Sequence, residues 1–123
     1  MSQNVVILGA SHKPQRYAYQ AQELLMSHGH RVFPVSGNGR EILNVPGYRS
    51  LSEIDASIDT VTLYLNAVRH QAIKHDMLQL NPRRIIFNPG TESGELMQAY
   101  NEQGIETLEA CTLVMLRTGQ FED

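Results

Sequence analysis

Lys13 and Arg16 stand three residues apart just after the turn Gly9-Ala10-Ser11, and no acidic residue precedes Glu23. A glycine turn that ends an apolar run and feeds a helix exposes unpaired backbone N–H groups and about half a unit of positive charge, the ingredients of a phosphate cradle. Gly9 permits close approach, Ser11 adds a hydroxyl donor, and the two cations add full charge within a turn of the helix start. Together they suit a diphosphate better than a lone carboxylate. The same residues have a plainer reading, in which any parallel α/β domain needs a tight turn here, Ser11 only caps the helix and the cations are solvated. The lack of nearby acids favours the anion site.

Charge is distributed to match. Residues 1–40 hold Lys13, Arg16, Arg31 and Arg40 against one acid, whereas residues 41–123 carry six basic and twelve acidic side chains, so the first part is +3 and the rest −6. That local excess suits a small polyanion and falls short of the broad basic face that duplex nucleic acid demands. With 123 residues, 41% apolar and 19% charged, the chain has the size and composition of one globular domain spanning residues 1–123. Its longest apolar runs are strand-sized, so neither a membrane span nor a secretion signal is expected, and the expected location is cytoplasmic. A single cysteine, Cys111, supports neither a disulfide framework nor a Cys-x-x-Cys metal site.

The elements that must position the junction follow from periodicity. Asn4 to Gly9 is a β-branched apolar run ending at glycine, a strand buried on both faces. Tyr17, Ala21, Leu24, Leu25 and His28 recur at helical spacing, with Gly29 as the left-handed stop. Arg31 to Val35 predicts a second strand. Residues 36–52, crowded with Gly, Asn, Pro and Ser, predict a long loop with a turn of strand around Tyr48; loops of that length are commonly functional. Asp59 to Leu65 is a third strand, with Asn66 capping a helix from Ala67 to about Gln79. Arg83 to Phe87 is a fourth strand. “NPGTESGELMQAYNEQG” then repeats the opening grammar: a glycine turn, capping residues Thr91 and Ser93, acids Glu92 and Glu95 in the first turn, and Gly104 beyond the end. Ile105 to Leu108 reads as a fifth strand and Ala110 to Leu116 as a closing helix, although that apolar run is also compatible with strand.

Alternating strands and helices force right-handed crossovers and a covered parallel sheet. The expected fold is α/β, Rossmann-like and doubly wound, with a mostly parallel five-stranded sheet and helices on both faces. Ligands of such sheets sit beyond the carboxyl ends of the strands where strand order reverses. That rule gathers residues 9–16, the start of the loop after Val35, and the turns at Asn66 and at Asn88 to Thr91. A nicotinamide dinucleotide is disfavoured, because its Gly-x-Gly-x-x-Gly turn is reduced to Gly9, with His12 and Pro14 where further glycines would fall, and no carboxylate follows Val35. The triphosphate-binding Gly-Lys-Ser/Thr signature is also absent.

“VVILGASHKPQRYAY”, followed by “GHRVFPVSG” and later by “FNPGTES”, resembles the small stand-alone CoA-binding proteins, relatives of the CoA-binding N-terminal domain of the succinyl-CoA synthetase α-subunit. The likeness runs over nearly the whole chain, and Gly-Ala-Ser-x-Lys-Pro is its most specific element. The resemblance implies that Gly9, Ala10, Ser11 and Lys13 meet the phosphates of coenzyme A with Arg16 close by. It further implies that Val35 and Ser36 lie by the adenosine half, that Asn66 borders the cleft, and that Asn88, Pro89, Gly90 and Thr91 face the pantetheine arm. Many relatives continue the second strand into Val-Asn-Pro, whereas this chain has Val35-Ser36-Gly37, so it departs from them on the adenine side.

The synthetase reaction passes through a phosphorylated histidine in a second domain, for which 123 residues leave no room. The expectation is therefore a module that binds coenzyme A or an acyl-CoA without catalysis of its own, with no nucleic-acid or membrane partner. The alternatives are an enzyme acting on an acyl-CoA thioester and an NAD(H)-sensing Rossmann module. Cys111, at the expected start of the last helix, is a candidate thiolate, although a lone cysteine in an apolar run reads first as a small core residue. His28 and His30 flank a glycine and His70 and His75 are five apart, so neither pair makes a metal site, and no metal is expected.

Overall fold

The computed structural model describes residues 2–122. Strand β1 (Asn4–Leu8) leads through a turn into helix α1 (Tyr17–Ser27), followed by β2 (Arg31–Val35). A long loop ending in a short 3-10 turn (Leu51–Glu53) precedes β3 (Thr60–Leu63), helices α2 (Ala67–Ala72) and α3 (Lys74–Leu80), and β4 (Arg84–Phe87). Helix α4 (Gly94–Glu102), β5 (Glu106–Glu109) and α5 (Thr112–Arg117) complete the order.

All five strands are parallel, in the order β2-β1-β3-β4-β5. The chain steps outward from β1 to β2 and then crosses back to the other side of β1, so strand order reverses between β1 and β3. Within β1, Val6 and Leu8 join the apolar layer that holds Leu51, Met77, Leu96 and Tyr100. Val5 and Ile7 point the other way, onto Ala18 and Leu25 of α1 and Met115 and Leu116 of α5. The sheet is thus covered on both faces, which is why its strands read as unbroken apolar runs. The expected doubly wound architecture is the observed one.

Two expectations are corrected in detail. The helix expected from Ala67 to Gln79 is two helices, because Ile73 leaves helical geometry at φ −114°, ψ 16°. The break lets Ala72 and Ile73 line the cleft described below while Met77, wholly buried, enters the core. The last strand and helix each sit one or two residues later than expected, at Glu106–Glu109 and Thr112–Arg117.

The long loop has its own scaffold. Tyr48 pairs beside Val35, donating its N–H to the Pro34 carbonyl (2.9 Å) and accepting from Ser36 N–H (3.0 Å). Ile42 and Val45 close a two-residue turn whose centre, Leu43 and Asn44, is left-handed. Ile42 is itself buried, and its carbonyl accepts from the Gln22 side chain of α1 at 2.9 Å. At Gly47 a side chain would collide with the carbonyl oxygens of Gly39 and Arg40, so the loop closes on itself only through glycine. No helix among the described residues is long and apolar enough to cross a membrane.

Candidate functional site

The reversal point between β1 and β3 opens into a cleft of about 690 Å³ at the carboxyl end of the sheet, within the range of small-molecule sites. Gly9 forms its floor at φ +92°, a conformation glycine adopts freely. A Cβ here would lie 3.0 Å from the Tyr64 backbone and 3.1 Å from Leu65, so the turns after β1 and β3 approach this closely only through glycine.

The amides of Gly9 and Ala10 both donate to the Val35 carbonyl at 2.9 Å and are spent on locking the turn against β2. Ser11 Oγ accepts from Lys13 N–H at 3.1 Å, shaping the turn rather than capping the helix. Among the described residues, the Ser11 and His12 amides find no acceptor in the chain. Helix α1 begins with Arg16 as its N-cap residue, which makes no capping bond, and its first turn holds no acid. The first helical bond runs from Gln20 N–H to the Arg16 carbonyl, leaving the amides of Tyr17, Ala18 and Tyr19 as open donors.

Lys13 and Arg16 line this cleft, and two further cations that sequence reasoning missed, Arg49 and Arg69, line it with them. A single acid, Asp76, joins them. Arg49 arrives because the Tyr48 pairing returns the long loop to the end of β2. Arg69 is third in α2, whose N-cap Asn66 accepts its N–H at 2.9 Å. In the six-residue α2, Arg69 belongs to the last turn, where a cation suits the macrodipole, so its sequence context carries no signal of a site. The rest of the lining is largely aliphatic, including Val35, Leu51, Leu65 and Ile73. The Tyr64 phenol is raised above its ordinary range by burial, with hydrogen bonding to Thr62 and Thr112 opposing that rise.

Of the residues expected at the site, Gly9, Ala10, Ser11, Lys13, Arg16, Val35 and Ser36 meet around one cleft. Asn66 stays on the rim as the cap of α2 and is exposed. The turn after β4 lies outside the lining. Asn88 is buried, its amide donating to Thr62 Oγ1 (2.7 Å) and the Leu63 carbonyl (2.8 Å) while its oxygen accepts from Thr112 N–H (2.9 Å). Thr91 is buried with its hydroxyl donating to the Asn88 carbonyl. Pro89 and Gly90 are exposed, and the Gly90 N–H donates to Glu92. Cys111 is half-buried at the start of α5 and is absent from the cleft lining. The described residues contain no group of three metal-ligating side chains.

An uncharacterized protein solved by crystallography is 43% identical and superposes with a TM-score of 0.93, covering 98% of this chain and 99% of its own. The uncharacterized protein YneT of Bacillus subtilis (strain 168) is 24% identical over 103 residues, 84% of this chain and 76% of that protein. The dinucleotide-forming acetyl-coenzyme A synthetase 1 of Ca. Korarchaeum cryptofilum shares the fold at 18% identity and a TM-score of 0.74, with 86% of this chain matching 25% of that one. The family model described as the CoA binding domain matches residues 3–117. With the match running from the start of β1 to the end of α5, the chain belongs to the CoA binding domain family.

Proposed function

We propose that this chain binds coenzyme A or an acyl-CoA in the cleft between the β1 and β3 turns, without catalysing a reaction of its own. The observation that carries this reading is four cations and a set of open amides facing one acid around the Gly9 turn. That donor set fits a diphosphate. The free amides of Ser11 and His12, the open first turn of α1, and the Lys13 and Arg16 side chains would hold it. Each charge-assisted bond of this kind contributes on the order of 1.5–3 kcal/mol. The aliphatic wall suits the pantetheine arm, which brings methyl and methylene groups with few charges. Family membership supports the same ligand. The main cleft lining holds no histidine or cysteine, which favours binding over acyl transfer.

Calorimetric titration with coenzyme A tests the reading. Lys13→Ala should weaken binding about tenfold at unchanged unfolding midpoint, since one charged contact is worth at least one factor of ten. An unchanged dissociation constant removes Lys13 from the site. Tighter binding of NADH than of coenzyme A overturns the ligand assignment.

A further inference from the structure

We propose that His70 is a positioning residue for the cleft: seated on Tyr100 inside the core, it holds α2 down and thereby keeps Arg69, the residue before it, at the ligand. The proposal rests on the coenzyme A reading above and extends it from the cleft wall into the core behind.

Helix α2 has little else to hold it. Six residues make fewer than two turns, too few for a helix to persist without tertiary support. Asn66 closes its start by accepting from Arg69 N–H, Val68 is 82% exposed, and His70 is its single buried side chain. Successive helical residues project about 100° apart, so one helix can grip the core and reach the cleft through adjacent positions. His70 is wholly buried, and Arg69 is exposed in the cleft lining.

The seat of His70 is specific and incomplete. Its Nε2 lies 2.6 Å from Tyr100 Oη, the two rings stack at 5.4 Å, and the Phe87 ring of β4 is 5.7 Å away. Its Nδ1 is buried without a hydrogen-bond partner. An orphaned nitrogen weakens the seat, and a phenylalanine would fill the same space without one. What the imidazole adds is a clamp that acid can open. Tyr100 of α4 is the titratable group that faces it, β4 presents only the Phe87 ring, and the lowering of His70 comes from burial, with no part taken by Arg69 or by Lys74, His75 and Asp76 of α3. Opening of α2 therefore takes up a proton below pH 6.5 and becomes easier as the pH falls.

Two measurements test this. In a double-mutant cycle read by calorimetric titration with coenzyme A at neutral pH, Arg69→Ala should weaken binding about tenfold. Tyr100→Phe, which keeps the ring and removes the hydroxyl, should weaken it about threefold in wild type and not at all in the Arg69→Ala background, where the loosened helix no longer carries a contact. Equal losses in both backgrounds, or none in either, overturn the positioning role and leave the coenzyme A reading standing. Hydrogen exchange of ligand-free wild type reads the clamp itself. Protection of the His70 and Ile73 amides, which donate to the Asn66 and His70 carbonyls, should fall about eightfold from pH 7 to pH 5.5 once intrinsic rates are corrected for. Protection that does not respond to pH overturns the clamp. Failure of wild type to bind coenzyme A overturns the ligand reading and the role of Arg69 together.

Discussion

The junctions after β1 and β4 use the same sequence grammar, a strand ending in glycine and polar residues before a helix, and they spend their polar groups in opposite ways. After β4, the capping side chains are spent on partners inside the chain. Ser93 caps α4 by accepting from Leu96 N–H at 3.2 Å, Glu95 sits in the first turn, and Glu92 accepts from Gly90. After β1, the cap residue is an arginine without a capping bond, the first turn has no acid, and the amides of Ser11 and His12 find no acceptor among the described residues. A helix start already supplied with its own anion has little left to offer a ligand. One left open and surrounded by cations is electrostatically incomplete.

The largest effect should come from giving the first junction the chemistry of the second. Arg16 has the extended backbone of an N-cap, φ −83° and ψ 144°, which aspartate adopts readily. Arg16→Asp should therefore cap α1 and raise stability by about 0.5–1 kcal/mol. The same change removes a cation and sets a carboxylate against the ligand, so coenzyme A affinity should fall about a hundredfold, or roughly 2.7 kcal/mol. Urea unfolding and calorimetry on one sample read both. A variant that binds normally would show that the open helix start is not where the anion sits.

The second junction should respond the other way around. Asn88→Ala strands the buried Thr112 N–H and the Leu63 carbonyl while Thr62 keeps its 2.8 Å bond to Thr112 Oγ1. Stability should drop by about 2 kcal/mol, and the folded protein should bind coenzyme A within about threefold of wild type. A large loss of affinity at unchanged stability would return Asn88 to the ligand.

Why the two junctions look alike in sequence explains how far the residues alone carry the reading. The strands were legible because a parallel sheet covered on both sides imposes continuous apolar runs on Val5 to Leu8 and Ile85 to Phe87, and the reversal point followed from their alternation with helices. Seven of the expected site residues meet there for the same reason. The resemblance alone implies that Asn88 faces a ligand, and its inward orientation is set by Thr112, 24 residues later, which no local pattern reveals. Gly9 and Ala10 were expected to offer amides, but those bonds go to Val35, fixed by how β1 and β2 lie side by side. Arg49 depends on the loop returning through Tyr48, a pairing set by tertiary contact. Arg69 stands in the last turn of α2, a helix whose early end only the fold reveals, whereas Arg16 carries a local signal as a cation at an uncapped helix start. In this chain, the uncapped, acid-free start of α1 lies at the cleft, and the capped, acid-supplied start of α4 lies outside it.

The smallest effect concerns what holds the far helix in place. Tyr100 of α4 and His70 of α2 are both fully buried, with Tyr100 Oη 2.6 Å from His70 Nε2 and the rings stacked. Burial lowers His70 from 6.5 to about 4 and raises Tyr100. The folded protein thus keeps His70 neutral where the unfolded chain takes up a proton, so its contribution is fully present above pH 6.5 and is lost as the pH falls from 6.5 toward 4. Between pH 7 and pH 5.5 the loss should be about 1 kcal/mol. His30, also lowered by its burial, adds in the same direction, so the His70 share is the difference between the wild-type and His70→Phe curves of urea midpoint against pH. Parallel curves would mean that His70 protonates as easily folded as unfolded. The α2–α4 contact would then lack the acid sensitivity that separates it from α1, whose buried polar side chain, Gln22, has no proton to gain.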